Sequence, residues 1–386
     1  KKAAPDHKSS FFNEATQVVA SAQNLSNIEP SLDRFVGRET EFTALNNYFR
    51  EGARLVTLKG FGGAGKTRFS RRFARTMISE WKGGAWFVEL TERTSVLGIA
   101  HAIATVLDIP LSGQGDEHQL MNHLGERIAA LGPVLLVLDN FEQVIDHAPA
   151  TVGKLLTLAP EAMFLVTSRE SLKLSAEQIF QLEPLPVKDS VELFKLRAET
   201  AGGRWPTTKK TDAIIQRITK RLDGLPLAIE LAAARARMMS PEQILERLSQ
   251  RFKLLAGGRR GAVPRQATLR ALIDWSWDLL EPWEKSALAQ VSVFRDGFSM
   301  EAAEAVLDLS AWPDAPWSLD VVGSLLDKSL LRSRQVLGQP RFEMYVSIQE
   351  YASEKLNKVS DVSRPDAAQQ TQHRHAAWFA NLGKYR

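Results

Sequence analysis

The chain has 386 residues, 44% of them hydrophobic and 24% charged, with a formal net charge of +4 and no cysteine. That length allows two to four domains, each with its own core. The missing cysteine excludes disulfides and thiolate metal sites and fits a reducing, cytoplasmic setting, while the mild positive charge permits nucleic-acid binding without arguing for it.

Residues 1–33 are polar and read as a linker from an upstream region, with one short helix over 11–22. They lack the apolar core of a secretory leader, and the first residue is not Met, which reads as a fragment or a processed product. Arg34-Phe35-Val36-Gly37-Arg38-Glu39 then precedes an amphipathic helix running through Tyr48 and Phe49. Two readings are open here. One is an adenine lid, with Phe35 and Val36 packing on the base; the other is a hydrophobic staple at a helix start.

Residues 55–70, LVTLKGFGGAGKTRFS, organise the rest. A buried strand leads into a glycine-rich loop and then a helix, and Gly60 and Gly65-Lys66-Thr67 fit G-x-x-x-x-G-K-[ST]. Gly60, Gly62, Gly63 and Gly65, with Ala64 between them, permit positive φ and bring backbone N–H groups close to a polyphosphate. The helix opening at Lys66 and Arg68 adds its positive dipole end. Lys66 is expected on the β- and γ-phosphates and the Thr67 hydroxyl on Mg²⁺. This pattern predicts binding of ATP or ADP.

A strand is expected over 84–90, helices over 95–107 and 117–131, and a continuous apolar strand over 133–139 ending in Asp139. A carboxylate at the end of such a strand is placed to hold Mg²⁺ beside the phosphate loop. A helix over 141–158, a strand over 162–167 capped by Ser168-Arg169, and a last strand over 179–185 follow. Arg169, with its planar and permanently charged fork, is expected on the γ-phosphate. Residues 34–186 thus read as an α/β P-loop NTPase domain, a parallel sheet with helices on both faces and the ligand at the strands' carboxyl ends.

Beyond Pro184 and Pro186 the pattern turns helical, and 187–256 reads as a small all-α domain. Capping boxes are expected at 189–192 and 240–243. Between them, Gly224-Leu225-Pro226-Leu227 feeds an apolar helix. Residues 257–267, within a stretch (251–270) that carries six basic and no acidic residues, read as a basic hinge or as a surface that meets phosphate or an acidic partner in one state of a switch. In 268–358, four helices over 268–280, 283–293, 300–309 and 319–331 lead to a hairpin turning at Gly338 and a helix over 348–356, which suggests a winged helix. Trp275, Trp277 and Trp283 read as core aromatics. Residues 359–386 look like the start of a further helical region.

The ordered set Val36-Gly37-Arg38-Glu39, GFGGAGKT, LLVLDNFE, VTSRE and GLPLAIELAA resembles the NB-ARC/STAND class of P-loop signal-transduction ATPases, and RQATLRALIDWSWDLLEPWEKSALAQVSVFRDGFSMEAAEAV looks like its bacterial members. The resemblance covers residues 34–357. It implies a switch: ADP buried in a closed monomer, exchange for ATP-Mg accompanying opening and self-association, an upstream effector and a downstream helical-repeat sensor. By motif it implies that Val36 and Arg38 contact adenine and the lid, that Pro226, with Leu227 beside it, packs on adenine, and that Arg169 senses the γ-phosphate. Two departures stand out. Asn140 follows Asp139 where many relatives carry a second carboxylate, so hydrolysis is expected to be slow unless Glu142 reaches in. Met344-Tyr345-Val346 stands where eukaryotic relatives have Met-His-Asp, so either Tyr345 donates one hydrogen bond to the phosphate in place of that His, or nothing does. The rival reading is an ATP-dependent, winged-helix DNA-binding regulator. Against it, the candidate recognition helices carry Glu301, Glu304, Asp320 and Asp327 with Lys328 as their one basic residue, a poor match to DNA phosphate. Neither His118 and His123 nor His373 and His375 share a helix face well enough to bind a metal.

Overall fold

The computed structural model describes residues 26–30, 34–111, 116–206, 208–248, 255, 269–358 and 366–382. The expected helix over 11–22 and the basic hinge over 257–267 lie outside these residues. The described chain forms two compact units: one comprises residues up to Lys59 together with Lys66–Leu182, the other Gly60–Gly65 together with Glu183–Arg386.

The first unit opens with α1 (Glu39–Arg50) and then alternates β1 (Leu55–Lys59), α2 (Lys66–Thr76), β2 (Ala85–Glu89), α3 (Val96–Val106), α4 (Glu117–Ala129), β3 (Val134–Asp139), α5 (Lys154–Leu158), β4 (Ala162–Ser168) and β5 (Glu177–Gln181). The strands form one sheet in the order β2-β3-β4-β1-β5, and every neighbouring pair is parallel. Because successive strand side chains point to opposite faces, the apolar runs feed two cores. Val134, Leu136 and Leu138 of β3 join Phe164 and Val166 of β4 under α3, α4 and α5. Leu135, Val137 and Leu165 point the other way and join Val56 and Leu58 of β1 under α1 and α2. With helices on both faces and parallel strands throughout, this is a P-loop NTPase fold.

The second unit contains α6 (Val187–Thr200), α7 (Lys209–Arg221), α8 (Pro226–Ala233) and α9 (Pro241–Arg247), followed by α10 (Leu269–Asp278), α11 (Pro282–Val291), α12 (Met300–Val306) and α13 (Ser318–Asp327). Strands β6 (Arg332–Val336) and β7 (Gln339–Glu343) pair antiparallel across a turn in which Leu337 and Gly338 both have positive φ, at 51° and 79°. That is the primed turn whose twist suits a hairpin. Helices α14 (Val346–Leu356) and α15 (Ala367–Leu382) complete the unit. Trp277 is buried and meets the Tyr351 ring edge-on at 5.6 Å, a core aromatic as expected. Trp275 and Trp283 are half-buried. His373 is exposed, while His375 packs against the rings of Phe294 and Phe379.

Several expectations are corrected. The single helix over 141–158 is instead a series of short turns, with a π-turn at Pro149–Gly153, before α5 begins at Lys154. Asn140 in the left-handed region (φ 63°) breaks the chain after β3, and Pro149 removes a helical N–H. The last strand lies earlier, at Glu177–Gln181, because its register on β1 runs from Leu55↔Glu177 to Lys59↔Gln181. The capping box at 189–192 is absent: extended Pro186 already stands at the N-cap, so Asp189 falls inside the first turn of α6, where its charge favours the dipole. The box at Ser240 and Gln243 is present with both reciprocal hydrogen bonds. Within the stretch read as a linker, Ile28 is buried and Asn27 hydrogen-bonds the backbone of Phe87. No described helix is long and apolar enough to cross a membrane.

Candidate functional site

The carboxyl ends of β3 and β4 gather the polar residues. Asp139, the last residue of β3, is 1% exposed. Thr67, in the first turn of α2, directs its hydroxyl at both carboxylate oxygens of Asp139, at 3.0 Å each. Thr167 donates to Asp139 Oδ1 at 2.6 Å, and its own oxygen accepts the backbone N–H of Asn140 at 3.0 Å. The Asn140 side chain donates to Asp139 Oδ2 at 3.2 Å and to Thr91 Oγ1 at 2.9 Å. Three donors, Thr67, Thr167 and Asn140, thus converge on one buried carboxylate. The left-handed backbone at Asn140, which Asn tolerates better than most residues, aims both its amides into this network.

Lys66, Glu142 and Arg169 lie in the same electrostatic neighbourhood. Arg169 Nε stands 3.4 Å from Glu142 Oε1, with both side chains buried. Burial lowers the Lys66 ammonium to about 8, with Arg169 pushing the same way and Glu142 and Asp139 opposing. Burial also raises Asp139 to about 6, against the hydrogen bonds from Thr167 and Thr67. Two cations and two carboxylates at low dielectric are poised for a charged ligand.

The donor chemistry fits Mg²⁺. Thr67 has one hydroxyl proton and turns it toward Asp139, leaving lone pairs for a cation, and Asp139 adds a hard carboxylate oxygen; Mg²⁺ takes one or two such protein ligands plus water and phosphate oxygens. Among the described residues, Glu142 Oε2 is buried and accepts no hydrogen bond, beside Lys66 and Arg169.

The loop Gly60–Gly65 belongs to the second unit. Of the four glycines expected to use left-handed backbone, only Gly63 (φ 82°) and Gly65 (φ 92°) do so; Gly60 and Gly62 do not. The Ala64 N–H closes a turn on the Phe61 carbonyl at 3.1 Å, and the Leu227 N–H donates to the Gly63 carbonyl at 3.2 Å. A Cβ at Gly63 would lie 3.1 Å from Leu227 Cβ and 3.2 Å from Leu272 Cδ2, and one at Gly65 would lie 3.7 Å from Pro226 Cγ. Close backbone approach therefore demands glycine at Gly63 twice over, by φ and by space. Pro226 and Leu227, expected on adenine, here abut the loop itself. Tyr345, expected on phosphate, faces the Phe61 ring at 5.2 Å between centroids, and burial holds its phenol neutral well above the ordinary tyrosine range.

The lid candidates separate. Val36 is buried, and Phe35 packs at the α1–α2 core with the Arg68 guanidinium 5.9 Å from its ring. Arg38 has φ 76° at the start of α1 and pairs with Glu41 at 2.6 Å. Sequence reasoning missed Thr167, Thr91, Phe61 and Leu272. Thr167 alone had a local signal, since it stands one residue before the Ser168-Arg169 strand end.

A family model described as an AAA domain matches residues 50–172. The chain is 39% identical over 307 residues to Rv0890c of Mycobacterium tuberculosis, named as a candidate HTH-type transcriptional regulator; the match takes in 78% of this chain and 34% of that protein, so the chain spans about a third of that relative's length. It is 32% identical over 329 residues to the uncharacterized protein Rv0894 of the same organism, covering 85% of this chain and 82% of that one. Among solved structures, the STAND protein PH0952 from Pyrococcus horikoshii, with a tetratricopeptide repeat sensor, is similar over 92% of this chain and 46% of that chain, at 16% identity and a TM-score of 0.35, a likeness that carries no argument about function.

Proposed function

We propose that this chain, which belongs to the family of the mycobacterial protein Rv0894 and is a P-loop ATPase, works as a nucleotide-gated switch of the STAND type. ADP holds the resting state, ATP with Mg²⁺ the active, self-associating one, and hydrolysis is slow. The observation that carries this reading is the membership of the loop: Gly60–Gly65 groups with the helical unit, through Leu227 on Gly63 and Pro226 beside Gly65. Phosphates seated on that loop would therefore be felt directly by α8 and α10. In this reading 187–256 is the small helical domain, 268–358 a winged helix and 359–386 the start of a helical sensor.

The residues divide the work. Lys66 and the loop amides hold the phosphates, and Thr67 and Asp139 hold Mg²⁺, which when bound neutralises phosphate charge. Val36, Phe35 and Pro226 are the adenine-side candidates. Arg169 is positioned by Glu142 and exchanges that carboxylate for a γ-phosphate oxygen. Asn140 orients Asp139 through its amide and cannot accept a proton from water. Glu142 is the carboxylate named for that role, and while it pairs with Arg169 it is engaged elsewhere, which keeps turnover low.

Nucleotide exchange alone does not suffice to throw such a switch. Moving an equilibrium from 1:99 to 99:1 takes about 5.5 kcal/mol of differential binding, whereas one charge-assisted hydrogen bond from Arg169 supplies roughly 1.5–3 kcal/mol. A second input, a ligand or partner acting through a sensor region, supplies the remainder. The transcriptional-regulator name belongs to a protein of which this chain covers 34%. Here the hairpin residues Arg332 and Arg334 both pair with Glu343, at 3.1 and 2.8 Å, which does not favour a DNA-binding wing.

Denaturing the purified chain and identifying the released nucleotide tests the reading. ADP, with a kcat below about one per second, is the expected result. Rapid multiple turnover, or complete oligomerisation on ATP with no second input, would overturn it.

A further inference from the structure

Phe61 stands second in the loop, a position that the phosphate-binding pattern leaves open. Its side chain is 1% exposed and Tyr345 is 4% exposed. Their rings lie 5.2 Å apart at 38°, inside the range where aromatic pairs attract beyond simple burial. Tyr345 is the N-cap of α14 and its carbonyl accepts the Gln349 N–H at 2.9 Å, so its backbone is fixed to that helix. The Arg332 guanidinium of β6 lies 5.2 Å from the centre of the Tyr345 ring. On the other partner, the Phe61 carbonyl closes the turn to Ala64. A shift of the Phe61 backbone therefore disturbs the turn that leads into Gly63 and Gly65. What the structure gives the Tyr345 side chain is ring contact, from Phe61 and from Arg332.

The geometry points to Phe61 and Tyr345 as an aromatic latch: Tyr345 is a positioning residue that fixes the phosphate loop through the Phe61 ring, and not a hydrogen-bond donor to phosphate. The hairpin and the start of α14 thereby hold the loop in its phosphate-binding turn. The inference rests on the nucleotide-switch reading above and adds the device by which one end of the helical unit senses the loop.

The test is the dissociation rate of a fluorescent ADP from the full chain, chased with unlabelled ADP. Tyr345→Phe keeps the ring and should release ADP at the wild-type rate. Tyr345→Leu and Phe61→Leu should each release it about two- to tenfold faster, the size of one aromatic pair, and the double variant no faster than the quicker single. Equal acceleration by Tyr345→Phe and Tyr345→Leu would show that the hydroxyl is what matters and would overturn the latch alone. So would effects of the two leucine variants that multiply. If Tyr345→Leu fails to fold, as judged by its thermal melt, Phe61→Leu with Tyr345→Phe still decides: acceleration by the first but not the second supports the latch, and no acceleration by Phe61→Leu overturns it. A wild-type chain that binds no labelled ADP overturns both the latch and the switch.

Discussion

The surroundings of Asp139 and those of the Gly60–Gly65 loop are built from different materials. Asp139 is held by hydrogen bonds from Thr67, Thr167 and Asn140, each with a defined donor. The loop meets apolar neighbours, Leu227, Leu272, Pro226 and the Tyr345 ring, beside the backbone hydrogen bond from Leu227 to Gly63. Hydrogen bonds at low dielectric are directional and costly to leave unmade, so the first site fixes the orientation of the Asp139 carboxylate. Apolar contact is graded and roughly proportional to area, so the second is suited to setting how tightly a state is held. Under the proposed switch, chemistry and switching threshold can then be altered separately.

The largest expected effect falls on the charge that serves the phosphates. Lys66→Ala should weaken nucleotide binding about 100-fold, the worth of its charge-assisted hydrogen bonds, as read by calorimetric titration; near-wild-type ADP affinity would remove the loop from its organising role. Next is the pH response of Asp139. With its carboxylate raised from 3.8 to about 6 by burial, a proton competes with Mg²⁺ below that pH. The Mg²⁺-dependent part of ATP affinity should fall about tenfold per unit below pH 6, and Asp139→Asn should abolish that dependence. The same shift acts with opposite sign on the nucleotide-free fold. A raised carboxyl favours the folded state fully below 3.8, and that stability is lost as pH rises through about 6.

A smaller effect belongs to Asn140→Asp, which replaces the donor to Asp139 Oδ2 by a second anion. We expect a loss of about 1–3 kcal/mol in chemical denaturation of the nucleotide-free protein, partly restored by Mg²⁺. Restoration would show that Asn140 serves Asp139, and its absence that the amide serves Thr91. Smallest is Leu227→Ala, which trims half-buried apolar contact at the loop. Nucleotide release should quicken by a few-fold, corresponding to about 1 kcal/mol or less, with kcat and the pH response unchanged. A shift in the pH response would show that the two sites are not separable.

The continuous apolar runs of β3 and β4 and the glycine-lysine-threonine sequence made the parallel sheet and its phosphate loop legible, because both patterns are local. Lys66, Thr67, Asp139 and Arg169 were legible as a polar group for the same reason, each sitting by a strand end or helix start. The contacts of Phe61 with Tyr345 and of Gly63 with Leu227 and Leu272 were not. They join residues far apart in the chain through ordinary apolar side chains, which carry no local mark of their partners. The fragmentation of the 141–158 helix failed for a different cause: its apolar periodicity is helical, but left-handed Asn140 and Pro149 interrupt the backbone that would carry it.

Asn27 has a consequence for how this protein survives in crowded solution. Strand β2 lies at an edge of the sheet, where an unpaired backbone invites a stray strand from another chain. The Asn27 amide oxygen accepts the Phe87 N–H at 2.8 Å and its nitrogen donates to the Phe87 carbonyl at 2.7 Å. One side chain thereby occupies both backbone groups that a trespassing strand would need at that residue, and shields the border of the sheet from misassembly.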